Sequence, residues 1–291
     1  MFNRIKWLHV EPSTRCNAWC SSCGRNKNGY GLSNFVLEDL KVERLKQVIE
    51  LLPSLETVQF CGNLGDPCAS KIVDEQLAVI QEKNLNLQLH TNGSLRTPDW
   101  WSQLSKKFKD RLEVWFAIDG LADTHSIYRQ GTNWQKIIDN ATAFIRAGGR
   151  AVWQFIPFAH NEHQIKDCMQ LATQLNFTRF EFVKNARYKK EHLNYQTGEP
   201  LEIRPWSHHE TQWQRKSGIL DKTQKKIEKK KVLLKDCMHL ALPSIFLNAN
   251  GVISPCCYFG SNPLSNNDIQ KDIKQKNYQK TCLDACGSST H

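Results

Sequence analysis

The chain has 291 residues, of which 40% are hydrophobic and 23% charged, enough for one large globular domain with a small extension. No run approaches the roughly 20 apolar residues that cross a bilayer, and the N-terminus lacks a signal peptide's apolar core, so we expect a cytoplasmic protein with no membrane partner. The net charge of +10 favours anionic partners, and in a reducing compartment the eleven cysteines favour metal binding or chemistry over disulfides.

Short β-rich runs alternate with longer helical runs up to about residue 185. The predicted strands are 6–12, 57–62, 87–91, 114–119, 151–156 and 180–183, and the clearest predicted helices are 37–52 and 133–148. Strands that alternate with helices predict right-handed crossovers and a parallel sheet. Six such units predict an α/β fold, a partial (β/α)6 barrel of the TIM type, whose chemistry gathers at the C-terminal ends of the strands.

The alternation ends after residue 185, and we predict three regions with boundaries at 1–185, 186–236 and 237–291. Residues 186–236 form a polar connecting segment in which 221–236 carries seven lysines. These lysines are interpreted either as a solvated helix face or as a landing site for an acidic peptide, a phosphorylated sugar, a nucleotide or RNA. Residues 237–291 contain five cysteines and a predicted hairpin that turns at "NG", so we expect a small cysteine-rich domain there.

Three cysteines follow the first predicted strand with the spacing C-x3-C-x2-C: Cys16, Cys20 and Cys23. Random placement of the cysteines would give about 0.01 such matches in the chain. A structural zinc site takes four ligands and disulfides take pairs, so neither accounts for a triplet. Three thiolates on a short loop can instead bind three irons of a [4Fe–4S] cluster and leave the fourth iron open.

This triplet, in the loop after the first strand of a partial barrel, resembles the radical S-adenosylmethionine (radical SAM) superfamily. The resemblance implies that SAM chelates the open iron and that an external donor of the flavodoxin or ferredoxin type supplies an electron. Cleavage of SAM then gives a 5′-deoxyadenosyl radical, which abstracts a hydrogen atom from a substrate carbon. The chain departs from the family in having Ser22, where an aromatic residue usually precedes the third cysteine, and this bears on the adenine contact.

The loops after the next three strands resemble, in order, the superfamily's SAM-binding loops. "GDP" contains Gly65 and Asp66, "TNG" contains Asn92, and the run from "AIDG" to "IYRQG" contains Asp119 and Arg129. The resemblance implies that the first loop presents a carboxylate and backbone carbonyls to the SAM ammonium. It also implies a role for Asp119 at the SAM ribose and for Arg129 at its carboxylate.

The cysteines near the C-terminus resemble the auxiliary-cluster extension called SPASM, or its shorter form, the twitch domain. A "G-x4-C" stretch follows the predicted hairpin turn, and too few cysteines are present for the two clusters of a full SPASM domain. The resemblance therefore implies one further [4Fe–4S] cluster, with a four-cysteine zinc site as the alternative. The implied ligands are Cys237, Cys256, Cys282 and Cys286. Cys257 is then a spare thiol, a substitute ligand or a catalytic hydrogen donor.

Relatives with this extension act on ribosomally made peptides, sugars, aminoglycosides or nucleotides. We favour an oxidoreductase or epimerase that modifies a peptide by oxidation, cross-linking or epimerisation. Dehydrogenation or epimerisation of a small molecule is the alternative, and a non-catalytic iron–sulfur or zinc protein that binds RNA is the second. The first strand begins about six residues after Met1, so we expect no N-terminal leader-binding domain, which weakens the peptide interpretation without excluding it.

Overall fold

The computed structural model describes residues 2–21, 23, 25, 36–183, 194, 197–207 and 244–254. Eight strands form one open sheet in the order β6-β5-β4-β3-β2-β1-β7-β8. Neighbouring strands are parallel except for the antiparallel pair β7 and β8. The strands are β1 Trp7–Val10, β2 Thr57–Phe60, β3 Asn86–Thr91, β4 Leu112–Ala117, β5 Arg150–Phe155, β6 Arg179–Phe182, β7 Ser244–Leu247 and β8 Ile253–Ser254.

Helices connect the parallel strands, so β1 to β6 lie side by side in chain order, as expected for right-handed βα units. They are α1 Val42–Glu50, α2 Val73–Glu82, α3 Pro98–Phe108, α4 His125–Tyr128, α5 Trp134–Arg146 and α6 Ile165–Gln174. Among the described residues, no helix has the length and apolar character needed to span a bilayer. The predicted partial barrel of the α/β class is confirmed.

The two faces of the sheet have different compositions because successive strand residues point to opposite sides. Leu8, Val58 and Phe60 are fully buried on the side that packs against the helices, where they join one hydrophobic core with Trp101 and Phe144. The alternate positions form the inner face of the barrel and are less buried and more polar. This division leaves the inner face and the strand ends available for chemistry.

The first helix begins five residues later than predicted, at Val42 rather than at residue 37. The backbone of residues 38–40 instead runs antiparallel to the segment after β1, with an isolated bridge between Ser13 and Asp39. Thr14 N donates to Glu38 O at 3.0 Å, and Leu40 N donates to Pro12 O at 2.8 Å. These long-range hydrogen bonds outweigh the local helical pattern, although Leu40 is still buried as the pattern indicated.

The predicted hairpin near the C-terminus is confirmed, and it continues the barrel sheet. β7 lies parallel to β1, with Trp7 opposite Ser244, and β8 pairs with β7. Arg44 of α1 donates from Nε to Gly251 O at 2.9 Å, which fixes the turn against the first helix. The remaining predictions for 237–291, including the four cluster ligands and Cys257, lie outside the described residues, as does the lysine-rich segment 221–236.

Candidate active site

The cysteine loop starts where β1 ends, at the C-terminal edge of the parallel strands. Cys23 N donates to Cys20 O at 3.0 Å, which makes a tight turn between the second and third cysteines. Cys20 is buried, whereas Cys16 and Cys23 are half-buried. All three pack with an apolar cluster that includes Tyr128 and Phe158, so one short loop directs three thiols to one region.

Three N–H groups lie against the sulfur atoms of this loop. Ala18 N lies 3.3 Å from Cys16 Sγ, Asn92 Nδ2 lies 3.7 Å from the same sulfur, and Arg129 Nη1 lies 3.9 Å from Cys20 Sγ. Burial raises the pKa of Cys16 to about 12, so this thiolate needs a metal's positive charge to form at neutral pH. Within the described ranges no three Cys, His, Asp or Glu side chains converge on a single-ion site. Three thiols on one loop, two of them with N–H donors at the sulfur, fit an iron–sulfur cluster.

Asn92 connects the turn after β3 to the cysteine loop. Its Nδ2 donates to Asn17 Oδ1 at 2.9 Å, and its Oδ1 accepts from Ser94 N at 3.0 Å. Asn17 Nδ2 in turn donates to Ser94 Oγ at 2.7 Å. The network places the Asn92 amide beside Cys16, so within the described residues Asn92 acts on the cysteine loop, and its contact with SAM stays a prediction.

Asp66 is buried and fastens the loop after β2 to the loop after β3. Its Oδ1 accepts from Cys68 N and Thr91 Oγ1, both at 2.9 Å. Its Oδ2 accepts from Thr91 Oγ1 at 3.0 Å and from Asn92 N at 2.7 Å. Burial raises the pKa of Asp66, and these donors oppose that rise. The carboxylate thus has a structural task, and the predicted contact with the SAM ammonium stays untested.

Glu11, which the sequence motifs did not single out, holds the glycine loop after β2. It follows β1 and is buried, and its Oε1 accepts from Leu64 N at 2.7 Å and from Gly65 N at 3.3 Å. Burial raises the pKa of Glu11, while these backbone donors lower it. The sequence signal that could have identified Glu11 is its position, because it is an acidic residue directly after an apolar strand and before the cysteines.

Asp119 and Arg129 form a buried ion pair. Asp119, after β4, is fully buried, and its Oδ1 accepts from Ile156 N at 2.7 Å. Its Oδ2 accepts from Arg129 Nε at 2.6 Å. Burial alone would lower the pKa of Arg129, but Asp119 outweighs it and holds that pKa above its ordinary value. The two residues predicted for separate groups of SAM therefore bind each other, which sets the guanidinium beside Cys20.

His125 contacts the backbone of Asp119 in this pair. Its Nδ1 accepts from Asp119 N at 3.0 Å, so Nε2 carries the proton and donates to Thr132 Oγ1 at 3.0 Å. The side chain is fully buried. Burial, aided by the charge of Arg129, lowers the pKa of His125 to about 3, so the imidazole is neutral in the folded protein.

We expect the protein to lose stability between pH 7 and pH 5 because unfolded His125 takes up a proton and folded His125 does not. The pKa rises from about 3 when folded to 6.5 when unfolded, so this stability is complete above pH 6.5 and declines as pH falls towards 3. The loss by pH 5 is about 2 kcal/mol. Urea unfolding at the two pH values measures it. His125→Asn keeps an acceptor for Asp119 N and should show a smaller loss, and an unchanged loss would contradict the assignment.

The inner face of the barrel presents the polar side chains of Gln59 and His90, and the ring of Trp115 lies beside the ion pair of Glu113 and Arg179. Gln59 Nε2 donates to His90 Nε2 at 3.1 Å, and the His90 ring stacks on Trp115 with centroids 4.8 Å apart. Burial lowers the pKa of His90 to about 4, so it is neutral. His9 contacts Cys61 Sγ through Nε2 where β1 and β2 end.

No protein-family model matches the chain. A curated relative, the tungsten-containing aldehyde ferredoxin oxidoreductase cofactor-modifying protein of Pyrococcus furiosus, is 25% identical over 134 residues. The aligned part covers 44% of this chain and 34% of that protein, about a third of the relative's length.

Solved structures extend the likeness to the whole fold. SuiB of Streptococcus suis bound to S-adenosylmethionine superposes with a TM-score of 0.62 at 15% identity, covering 95% of this chain and 66% of SuiB. Native anSMEcpe with bound AdoMet gives 0.51 at 19% identity, covering 66% of this chain and 55% of that one. These structures are radical SAM enzymes. The chain has the radical SAM fold. The fold that the resemblance implied is thereby confirmed.

Proposed function

We propose that this chain is a radical SAM enzyme that reductively cleaves S-adenosylmethionine and abstracts a hydrogen atom from a substrate carbon. The observation that carries the proposal is the cysteine loop: Cys16, Cys20 and Cys23 lie at the end of β1 with N–H donors against two of their sulfurs. A bound [4Fe–4S] cluster supplies the electron for SAM cleavage. Fold relatives that bind SAM support the same conclusion.

The chain's own residues bind, orient and shield the reactants. The three cysteines hold the cluster, and the Asn92 amide and the Arg129 guanidinium fix the positions of Cys16 and Cys20. The apolar cluster shields the thiols from water on the side where it packs, which strengthens electrostatic interactions and protects reactive species there. Gly65, Asp66, Asn92, Asp119 and Arg129 are the residues proposed to contact SAM, which the likeness of their loops to SAM-binding loops supports.

A ribosomally made peptide is the substrate class that we favour, modified by oxidation, cross-linking or epimerisation. SuiB has been solved bound to the precursor peptide SuiA, and anSMEcpe with AdoMet and the Cp18Cys peptide. The inner face carries the polar groups of Gln59 and His90 beside the ring of Trp115, so it suits a polar side chain inserted from such a peptide.

A small-molecule substrate is the second candidate. The Pyrococcus furiosus relative is described as a cofactor-modifying protein, which favours a substrate other than a peptide. The reaction proposed for this case is dehydrogenation or epimerisation of a sugar, aminoglycoside or nucleotide. The same amide and imidazole groups on the inner face can hydrogen-bond hydroxyls, so the described residues suit both substrate classes.

We also propose an auxiliary [4Fe–4S] cluster held by Cys237, Cys256, Cys282 and Cys286, with Cys257 as a spare thiol or hydrogen donor. Support comes from the confirmed hairpin of β7 and β8, which precedes Cys256 in sequence and lies beside β1. Cys256 follows β8 by two residues, and β8 is the edge strand two places from β1, so the proposed cluster would extend the barrel sheet at its β1 side.

Cys16→Ala is expected to abolish SAM cleavage and to remove one of two clusters. Anaerobically reconstituted wild-type protein should contain about eight irons per chain and release 5′-deoxyadenosine with dithionite and SAM, and the variant about four irons and no 5′-deoxyadenosine. Cys168→Ala, in the core at α6, is the matched control and should keep both properties. Wild-type protein with a full iron content that releases no 5′-deoxyadenosine would refute the proposed enzyme activity. Four irons in the wild type would refute the auxiliary cluster.

A further inference from the structure

A cationic cavity lies at the outer edge of the mouth, against the cysteine loop. It has a volume of about 510 Å³, and its lining includes Arg15, Cys16, Lys71 and Arg96. Three of its lining residues are cationic and, among the described residues, none is acidic. A second cavity of about 310 Å³, between α3 and α5, contains Asp99 as well as two cations and does not reach the cysteines.

The charges of this cavity are held in place but poorly neutralised. Arg96 donates from Nε to Cys68 O at 2.9 Å and from Nη2 to Ser70 O at 2.6 Å, so its guanidinium is fixed by uncharged carbonyls. Arg15 Nε lies 3.3 Å from Asp39 Oδ2. The described part of the chain contains no carboxylate within ion-pair distance of Arg96 or of the exposed Lys71. Asp39 Oδ2 also accepts from the backbone N of Lys71 at 3.4 Å, so one carboxylate faces three cations and the rim keeps a net positive charge.

Cys16 links this cavity to the cysteine loop. Cys20 is buried and Cys16 and Cys23 are half-buried, and of these three cysteines it is Cys16 that lines the cavity. An electron from an outside donor has the shortest distance to travel where a ligand of the cluster lies at the protein surface. Among the described residues, the Cys16 edge of the loop combines that access with positive charge.

We propose that this cationic cavity is the docking surface for an acidic one-electron carrier protein, which delivers its electron through the Cys16 edge. The inference rests on the proposed function, because only a reductive enzyme needs such a donor. In the step the carrier is oxidised by one electron and the cluster is reduced by one, and no covalent bond forms or breaks. Complementary charge speeds the encounter of the two proteins and sets their relative orientation. The carbonyls of Cys68 and Ser70 hold the Arg96 guanidinium in a defined position.

Flavodoxin is the probe, and Lys71→Glu is the test variant. Lys71 is exposed and precedes α2, where a glutamate is favoured by the helix dipole, so the fold should tolerate it. We expect the flavodoxin concentration for half-maximal 5′-deoxyadenosine formation to rise roughly threefold to tenfold, and its dependence on salt to weaken. The rate with dithionite, a small reductant that needs no docking, should stay unchanged.

Lys166→Glu is the matched control because Lys166 is also exposed and lies in the first turn of α6, where a glutamate is likewise favoured by the helix dipole, and α6 connects β5 to β6, away from the cavity. It should leave the flavodoxin dependence unchanged. Equal effects of the two substitutions, or an unchanged response in Lys71→Glu, would overturn the docking surface. Titration of the protein with oxidised flavodoxin measures binding without turnover. Weaker flavodoxin binding by Lys71→Glu would therefore support the docking surface even if the protein does not cleave SAM. Inorganic phosphate that binds at Lys71 while flavodoxin does not would show a small-anion site instead and overturn the proposal.

Discussion

Gly65→Ala should prevent assembly of the candidate active site and leave the protein without the cluster of the cysteine loop. An added Cβ would lie 1.8 Å from Ser13 O and 2.7 Å from Ser13 C, far closer than real contacts allow. The loop cannot simply retreat, because Gly65 N donates to Glu11 and Asp66 N donates to Arg15 O at 2.7 Å. Overpacked side chains typically cost about 1–3 kcal/mol, and here the neighbour is backbone, so we expect a cost above that range.

Gly148→Ala is the control for this substitution. Gly148 has a φ of +92° at the turn between α5 and β5, but an added Cβ would meet no atom within 4 Å. Its cost should be limited to backbone strain, roughly 1–2 kcal/mol. Iron content and circular dichroism after reconstitution separate the cases: Gly148→Ala should take up the wild-type complement and Gly65→Ala about four irons fewer. Wild-type iron in Gly65→Ala would contradict the close approach of the two loops.

The sequence predicted the order of the sheet because strand and helix patterns are local. Each of the six strands lies within about two or three residues of its predicted position, and the loops at Cys16, Gly65, Asn92 and Asp119 all follow strands. The start of α1 was wrong for a non-local reason: residues 38–40 hydrogen-bond the chain after β1, some 25 residues away. The placement of β7 beside β1 was likewise beyond the sequence, since no local pattern specifies a partner more than 230 residues distant.

Motif matching found residues of the site but could not give their partners. Asp66 and Arg129 were predicted as SAM contacts, yet Thr91, Asn92 and Asp119 already bind their polar groups. Whether a carboxylate faces a ligand or a neighbouring loop depends on its rotamer and on donors from other strands, which spacing does not encode. Glu11 and His125 were missed for the same reason, because each acts through backbone N–H groups that every residue has.

The buried pair of Asp119 and Arg129 gives the second large effect. Arg129→Met alone leaves an unpaired carboxylate at a fully buried position, and Asp119→Asn alone leaves an unpaired guanidinium. Each single change should destabilise the fold by about 3–5 kcal/mol, because an isolated buried charge is costly. The double variant removes both charges and retains an amide oxygen for Ile156 N, so its loss should fall below the sum of the single losses by about 2 kcal/mol or more.

Urea unfolding of the four proteins at pH 7 measures this coupling. Strictly additive losses of unfolding free energy would contradict the ion pair of Asp119 and Arg129. Two residues that acted only on SAM, and independently, would not compensate for each other when SAM is absent. SAM binding by the double variant then tests the remaining prediction. If Arg129 also reaches the SAM carboxylate, the double variant will be folded but will bind SAM weakly. If its main task is to hold Cys20, SAM affinity should stay near that of the wild type once the cluster is in place, because the cysteine ligands are unchanged.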